Sequence, residues 1–159
     1  MGDYVQTISG HGIFPAQGGP VNFANVDGLP WTDQQGLGED DGKRFIVRGG
    51  HAVDFYAPIT NPVIFNGVRL KADYAAVTFE LPPSALLISF QVWDRTTNVF
   101  SQGGLAVTGN FRRVWVENSN AFKLTADMEV HGALVVKVTI VSNGDSDIKF
   151  TGAGIRFHN

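Results

Sequence analysis

The chain has 159 residues, a formal net charge of −3, 17% charged residues, 19 glycines, 12 phenylalanines and no cysteine. That length suits one domain over 1–159 with its own core, and the missing cysteine excludes disulfides, thiolate metal sites and cysteine nucleophiles. Charges of both signs are scattered and Arg112-Arg113 is the only adjacent arginine pair, so nucleic acid is not an expected partner, and no apolar run is long enough for a membrane-spanning helix.

Taken in chain order, Tyr4 to Ile8 alternates weakly as a first strand and Ser9-Gly10-His11-Gly12 breaks it. About 14–42 is rich in Gly, Pro, Asn and Asp and reads as one long irregular loop, with Glu39-Asp40-Asp41 as its acidic tip. Lys43 to Val47 and His51 to Ile59 read as strands, the second interrupted by Pro58. Val63-Ile64-Phe65 leads into Asn66-Gly67, a hairpin signal that requires positive φ at both central residues. Val68 to Asp73 and Val77 to Leu81 alternate, and Pro82-Pro83 ends the second run. Leu86 to Trp93 is a strong strand, with Leu86, Ile88, Phe90 and Val92 on one face and Leu87, Ser89, Gln91 and Trp93 on the other. Asp94 to Asn98 turns the chain toward a return strand at Val99-Phe100. Leu105 to Val107, Phe111 to Val116 and Phe122 to Leu124 are shorter candidates. Leu134 to Val141 is the clearest strand, with Lys137 and Thr139 sharing one face. Asn143-Gly144-Asp145 then turns the chain so that Ile148 to Thr151 is expected to pair back on it, and Gly154 to His158 closes the sequence. No long stretch reads as a helix. The spacing of turn signals predicts an all-β fold, a two-sheet antiparallel β-sandwich of jelly-roll-like type.

Specific catalytic or metal patterns are missing. The histidines, His11, His51, His131 and His158, form no His-x-His or His-Glu-x-x-His spacing. There is no Gly-x-Ser-x-Gly elbow, whereas carboxylate pairs for glycoside hydrolysis would meet only in the fold. No cofactor is expected and the chain reads as non-enzymatic. Two acidic turns are weak calcium candidates: Asp40 with Asp41, and Asp145 with Asp147. The second starts like an EF-hand loop, but Gly154 stands where the closing Glu belongs.

Aromatics beside polar groups are the best functional signal. Trp31 lies near Asp33, Tyr56 shares a strand face with Asp54, Trp93 precedes Asp94 and Arg95, and Trp115 follows Arg113. Such sets stack on sugar rings while polar groups take the hydroxyls. They also serve as core caps or interface residues, which is the first reading of them here.

Several pieces resemble a family of short, uncharacterised bacterial proteins known only as a domain of unknown function. They are His11-Gly12, Phe55 to Ile59 running into Asn61-Pro62-Val63-Ile64, Val68-Arg69, Val92-Trp93-Asp94, Asn120-Ala121-Phe122, and Gly152 to Phe157. Where that family has an aromatic just before His-Gly, this chain has Ile8-Ser9-Gly10. The resemblance implies an all-β fold of this length and transfers no activity. Low charge and abundant Phe and Gly then make self-association or binding of a protein partner the leading expectation, with a lectin-like carbohydrate-binding module as the alternative. Met1 to Thr7 has no basic n-region or apolar h-region, so the cytoplasm or a signal-independent export route is the expected location.

Overall fold

A computed structural model describes residues 4–16, 37–39, 42–47 and 49–158. In chain order the strands are β1 (Tyr4–Ser9), β2 (Phe14–Pro15), β3 (Leu37–Glu39), β4 (Gly42–Val47), β5 (Ala52–Ile59), β6 (Ile64–Phe65), β7 (Val68–Arg69), β8 (Lys71–Leu81), β9 (Ala85–Asp94), β10 (Thr97–Gln102), β11 (Gly109–Phe111), β12 (Ala121–Glu129), β13 (Leu134–Ser142) and β14 (Ser146–His158). A single 3-10 turn, Gly10–Gly12, follows β1.

Two sheets build the sandwich, and β6 and β7 pair as a separate two-stranded hairpin. In the first, β8 and β14 pair along their length. β11 and β12 share the other edge of β8, β4 and β1 share the other edge of β14, and β3 lies beside β4. The second runs β10-β9-β13-β5-β2. The ladders between these strands are antiparallel. The result is the expected all-β architecture, a two-sheet antiparallel sandwich of jelly-roll-like type.

The β13 run shows why these residues form strands. Leu134, Val136, Val138 and Ile140 are buried between the sheets, while Val135, Lys137, Thr139 and Val141 are only half-buried on the outside. That period of two is the pleat of a strand with one face in the core. The core is rich in phenylalanine. Phe55 of the second sheet meets Phe45 and Phe150 of the first at centroid distances of 5.1 and 4.8 Å. Phe90 of the second sheet meets Phe122 of the first at 4.6 Å. Both groups tie sheet to sheet with tilted rings, the arrangement aromatic quadrupoles prefer.

Several expectations are corrected. Ile148 to Thr151 does not return on β13. The chain crosses after Ser142, so β14 joins β8, β4 and β1 in the first sheet. Leu86 and Ile88 do not share the face of Phe90 and Val92. Ser89 pairs with Thr139 and Leu87 with Ile140, so the register skips Ile88, and this bulge puts Leu87, Phe90 and Val92 all in the core. Pro58 does not break β5, because β2 reaches only Phe55 and Tyr56 and, among the described residues, no ladder runs along that side at Pro58. Residues 112–116 are loop, not strand, whereas the weak run at Phe122 belongs to a full strand with an irregular register. The segment read as one loop carries short strands at Phe14–Pro15 and Leu37–Glu39, and residues 17–36 and 40–41 lie outside the described residues. The Asn66-Gly67 turn is as expected, with φ of 50° and 77°.

Because Phe55 is fully buried, Phe55→Ala is expected to lower unfolding free energy by about 3–5 kcal/mol. Val68→Ala, at an exposed hairpin position, should cost less than about 0.5 kcal/mol. Urea unfolding of the two variants with an unchanged m-value checks both.

Candidate functional site

Ladder register decides which side chains meet on the outer face of the second sheet. Gln91, Lys137, Tyr56 and Phe14 form one rung across β9, β13, β5 and β2. Trp93, Val135 and Pro58 form the rung on one side of it, and Ser89, Thr139 and Asp54 the rung on the other. Each points outward because its strand neighbours, such as Val92, Val136 and Phe55, are committed to the core.

The polar groups on this face hold the aromatic rings in place. The Tyr56 ring stacks on Phe14 at 5.9 Å, and Lys137 Nζ sits 5.8 Å from its centroid. Lys137 also pairs with Asp54 Oδ2 at 3.6 Å, and the Thr139 hydroxyl donates to Asp54 Oδ1 at 2.6 Å. Trp93 Nε1 donates to Gln91 Oε1 at 3.0 Å. Tyr56, Trp93, Arg95, Val135 and Lys137 surround an open hollow of about 330 Å³. Trp93 and Tyr56 stand two strands and one rung apart, about 12 Å on the diagonal at the usual strand spacing and rise.

Arg95 reaches the hollow from the β9–β10 turn, where its backbone takes a φ of 56°. Its stem lies across Gly132, so closely that a Cβ at that glycine would come within 2.6 Å of Arg95 Cγ. Its Nε stands 3.6 Å from Asp94 Oδ1. Asp94 itself is 2% exposed, and its Oδ2 accepts the His131 N–H at 2.7 Å. Asp94, a ligand or interface candidate in the sequence, is therefore an internal anchor for the 130–133 segment. Asn61 secures the same segment, donating to the Gly132 carbonyl and accepting from the Leu134 N–H.

Of the sequence candidates, Asp54, Tyr56, Trp93 and Arg95 thus converge on one face. Trp115 and Arg113 do not. They belong to the segment between β11 and β12, which lies on the outer side of the other sheet. There the Gly154 position approaches Trp115, since a Cβ would fall 2.7 Å from its Cζ2. Asn120 is fully buried and fastens the segment, donating to the carbonyls of Val77 and Val114 and accepting from the Val116 N–H. The Thr151 hydroxyl donates to the Arg112 carbonyl. Glu117 hydrogen-bonds the Tyr74 phenol, and this bond, followed by desolvation and the Glu117 charge, raises the phenol above its ordinary value of 10.0. Arg113 is exposed beside a shallow hollow shared with Asn110 and Val114.

Neither described calcium candidate is arranged for a cation. Asp145 Oδ1 accepts the Gly49 N–H at 3.0 Å, and Asp147 makes a two-point ion pair with Arg44. Among the described residues no group of three or more His, Cys, Asp or Glu side chains forms a metal-holding cluster. Trp31, Asp33, Asp40 and Asp41 lie outside the described residues. The residues that sequence reasoning missed here are Phe14, Gln91, Val135, Lys137 and Thr139. Their outward parity is readable in each strand alone, but the placement of β13 between β9 and β5 is not.

Among solved structures, the chain is similar to a xylan-binding module CBM15, with a TM-score of 0.55 and 11% identity over 98% of this chain and 97% of that one. At that identity the likeness establishes the fold. No family model matches the chain, and no curated protein matches it.

Asn120→Ala leaves two carbonyls and an amide without their partner, so it should cost about 2–3 kcal/mol and shift the Trp115 contribution to fluorescence toward the red. A phenol raised in the folded state contributes stability that is complete below pH 10.0 and is lost as pH rises through the raised value. Tyr74→Phe should therefore lose less stability than the wild type as pH rises above 10.0, as read from urea midpoints.

Proposed function

We propose that this protein is a non-catalytic carbohydrate-binding module that takes a polysaccharide on the outer face of its second sheet. One observation carries the reading: Trp93 and Tyr56 border a single open hollow, flanked by Gln91, Lys137, Arg95 and Asp54. Sugar rings present apolar C–H faces and a rim of hydroxyls. A rigid sheet with pinned aromatic rings and peripheral hydrogen-bonding groups complements both without needing to reorganise. The spacing of Trp93 and Tyr56 across β13 favours a chain of sugars over a single ring. The fold likeness to a xylan-binding module supports the same class of ligand.

Self-association has less behind it. Exposed large apolar side chains among the described residues are Val5, Phe14, Ile64, Val68, Val114 and Val116, and of these only Phe14 lies on the face that carries Trp93 and Tyr56.

Native affinity electrophoresis through xylan, mannan and β-glucan gels, with and without substituents, tests the proposal. Retardation in at least one gel is expected. Trp93→Ala and Tyr56→Ala should each weaken it by about tenfold or more, while Trp115→Ala, on the opposite sheet, should leave it intact. Near-UV circular dichroism confirms that the variants fold. Retention of full binding by Trp93→Ala would remove this face as the site.

A further inference from the structure

The hollow between Trp93 and Tyr56 has an unusual balance of donors and acceptors. Trp93 Nε1 is taken up by Gln91 Oε1. Asp54 is occupied by the Thr139 hydroxyl and by Lys137. Asp94 lies beneath the surface and serves His131. Among the described residues no carboxylate lines the hollow, but two cations do, Arg95 and Lys137. Their situations differ. Lys137 is committed to Asp54 and to the Tyr56 ring. Arg95 is anchored at one side only: its stem rests on Gly132 and its Nε faces Asp94. Its side chain is 62% exposed, and among the described residues nothing takes its two terminal nitrogens.

A neutral sugar needs acceptors as well as donors, because each hydroxyl both gives and receives a proton. Among the described lining residues donors outnumber acceptors: Arg95, Lys137 and Trp93 only donate, while the Tyr56 hydroxyl does both. A carboxylate is the group that uses donors alone, and the planar guanidinium fork matches its two oxygens. We infer that the site selects an acidic polysaccharide, with the carboxylate of a uronic acid residue on the terminal nitrogens of Arg95 and the neighbouring ring on Trp93. The inference rests on the glycan-binding reading and adds a chemical class to it. Holding the fork through Nε and the stem removes much of the entropy that an exposed arginine otherwise loses on binding.

The probes are glucuronoxylan, polygalacturonate and alginate, each used native and after reduction of its carboxyl groups to primary alcohols. Reduction keeps the backbone and removes only the charge. At low ionic strength at least one native polymer should be held about tenfold more tightly than its reduced form, since a charge-assisted pair is roughly twice as strong as a neutral one. The preference should shrink as salt is raised. Arg95→Gln should bring the native-to-reduced ratio close to one, and Arg95→Lys should restore it only in part. Equal binding of native and reduced forms would overturn the inference and leave glycan binding standing. So would a native preference that Arg95→Gln does not change. Absence of binding to every native, reduced and neutral polymer would overturn both readings together.

Discussion

Ring contacts between the two sheets are the interaction on which the rest of the molecule depends. Phe55 meets Phe45 and Phe150 across the interior, and Phe90 meets Phe122 in the same way. A fully buried Phe side chain is worth about 1.5–3 kcal/mol relative to an exposed one, so these few residues outweigh any surface ion pair in the structure, typically worth about 0–1 kcal/mol. They also set orientation. Once Phe55 and Phe90 point inward, strand alternation sends Asp54 and Tyr56 outward on β5, and Gln91 and Trp93 outward on β9. The candidate site is the obverse of the core.

The two outer surfaces of the sandwich have diverged in use. On the first sheet, Gly152, Gly154 and Ala76 occupy outward positions of β14 and β8, and the segment from Arg112 to Asn120 lies nearby with Trp115 against Gly154. Ala76 is buried without belonging to the inter-sheet core, which is what a covering layer would produce. On the second sheet the strands keep large and polar residues outward. Trp115 packs over Gly154 and borders an open hollow with Thr78, Thr151 and Gly152 on its own sheet, whereas Trp93 borders the hollow of the second sheet beside Arg95 and Lys137. Two tryptophans with similar neighbours in the sequence thus end on opposite faces, with small outward residues under one and cations beside the other.

Much of the fold was legible in single segments. The alternation of Leu134 to Val141, the break at Ser9 to Gly12 and the Asn66-Gly67 turn each depend on local stereochemistry, and each lies where it was expected. Several of the pieces that carried the resemblance to an uncharacterised family hold structural residues: Asn61 ties down 130–134, Asn120 closes the segment before β12, and Gly152 and Gly154 lie against β1 and Trp115. What failed was non-local. The bulge at Ile88 is a property of the β9–β13 register, and no alternation within β9 announces it. The crossing from β13 to β14 looked like a hairpin because a short turn of Asn, Gly and Asp serves either purpose; its direction is settled by which sheet buries Ile148 and Phe150.

By itself the sequence determined that this is a strand-built chain with apolar and polar faces, turns at defined glycines and asparagines, and aromatic residues set beside polar ones. Those properties follow from φ/ψ preference and a period of two, which act over a few residues. Only the tertiary structure decided that β13 lies between β9 and β5, bringing Lys137 under the Tyr56 ring and into the same hollow as Trp93 and Arg95, and that Asp94 turns inward while the Arg95 side chain stays exposed. Those outcomes depend on cross-strand register and burial, which are set by residues about 40 to 80 positions apart competing for one interior.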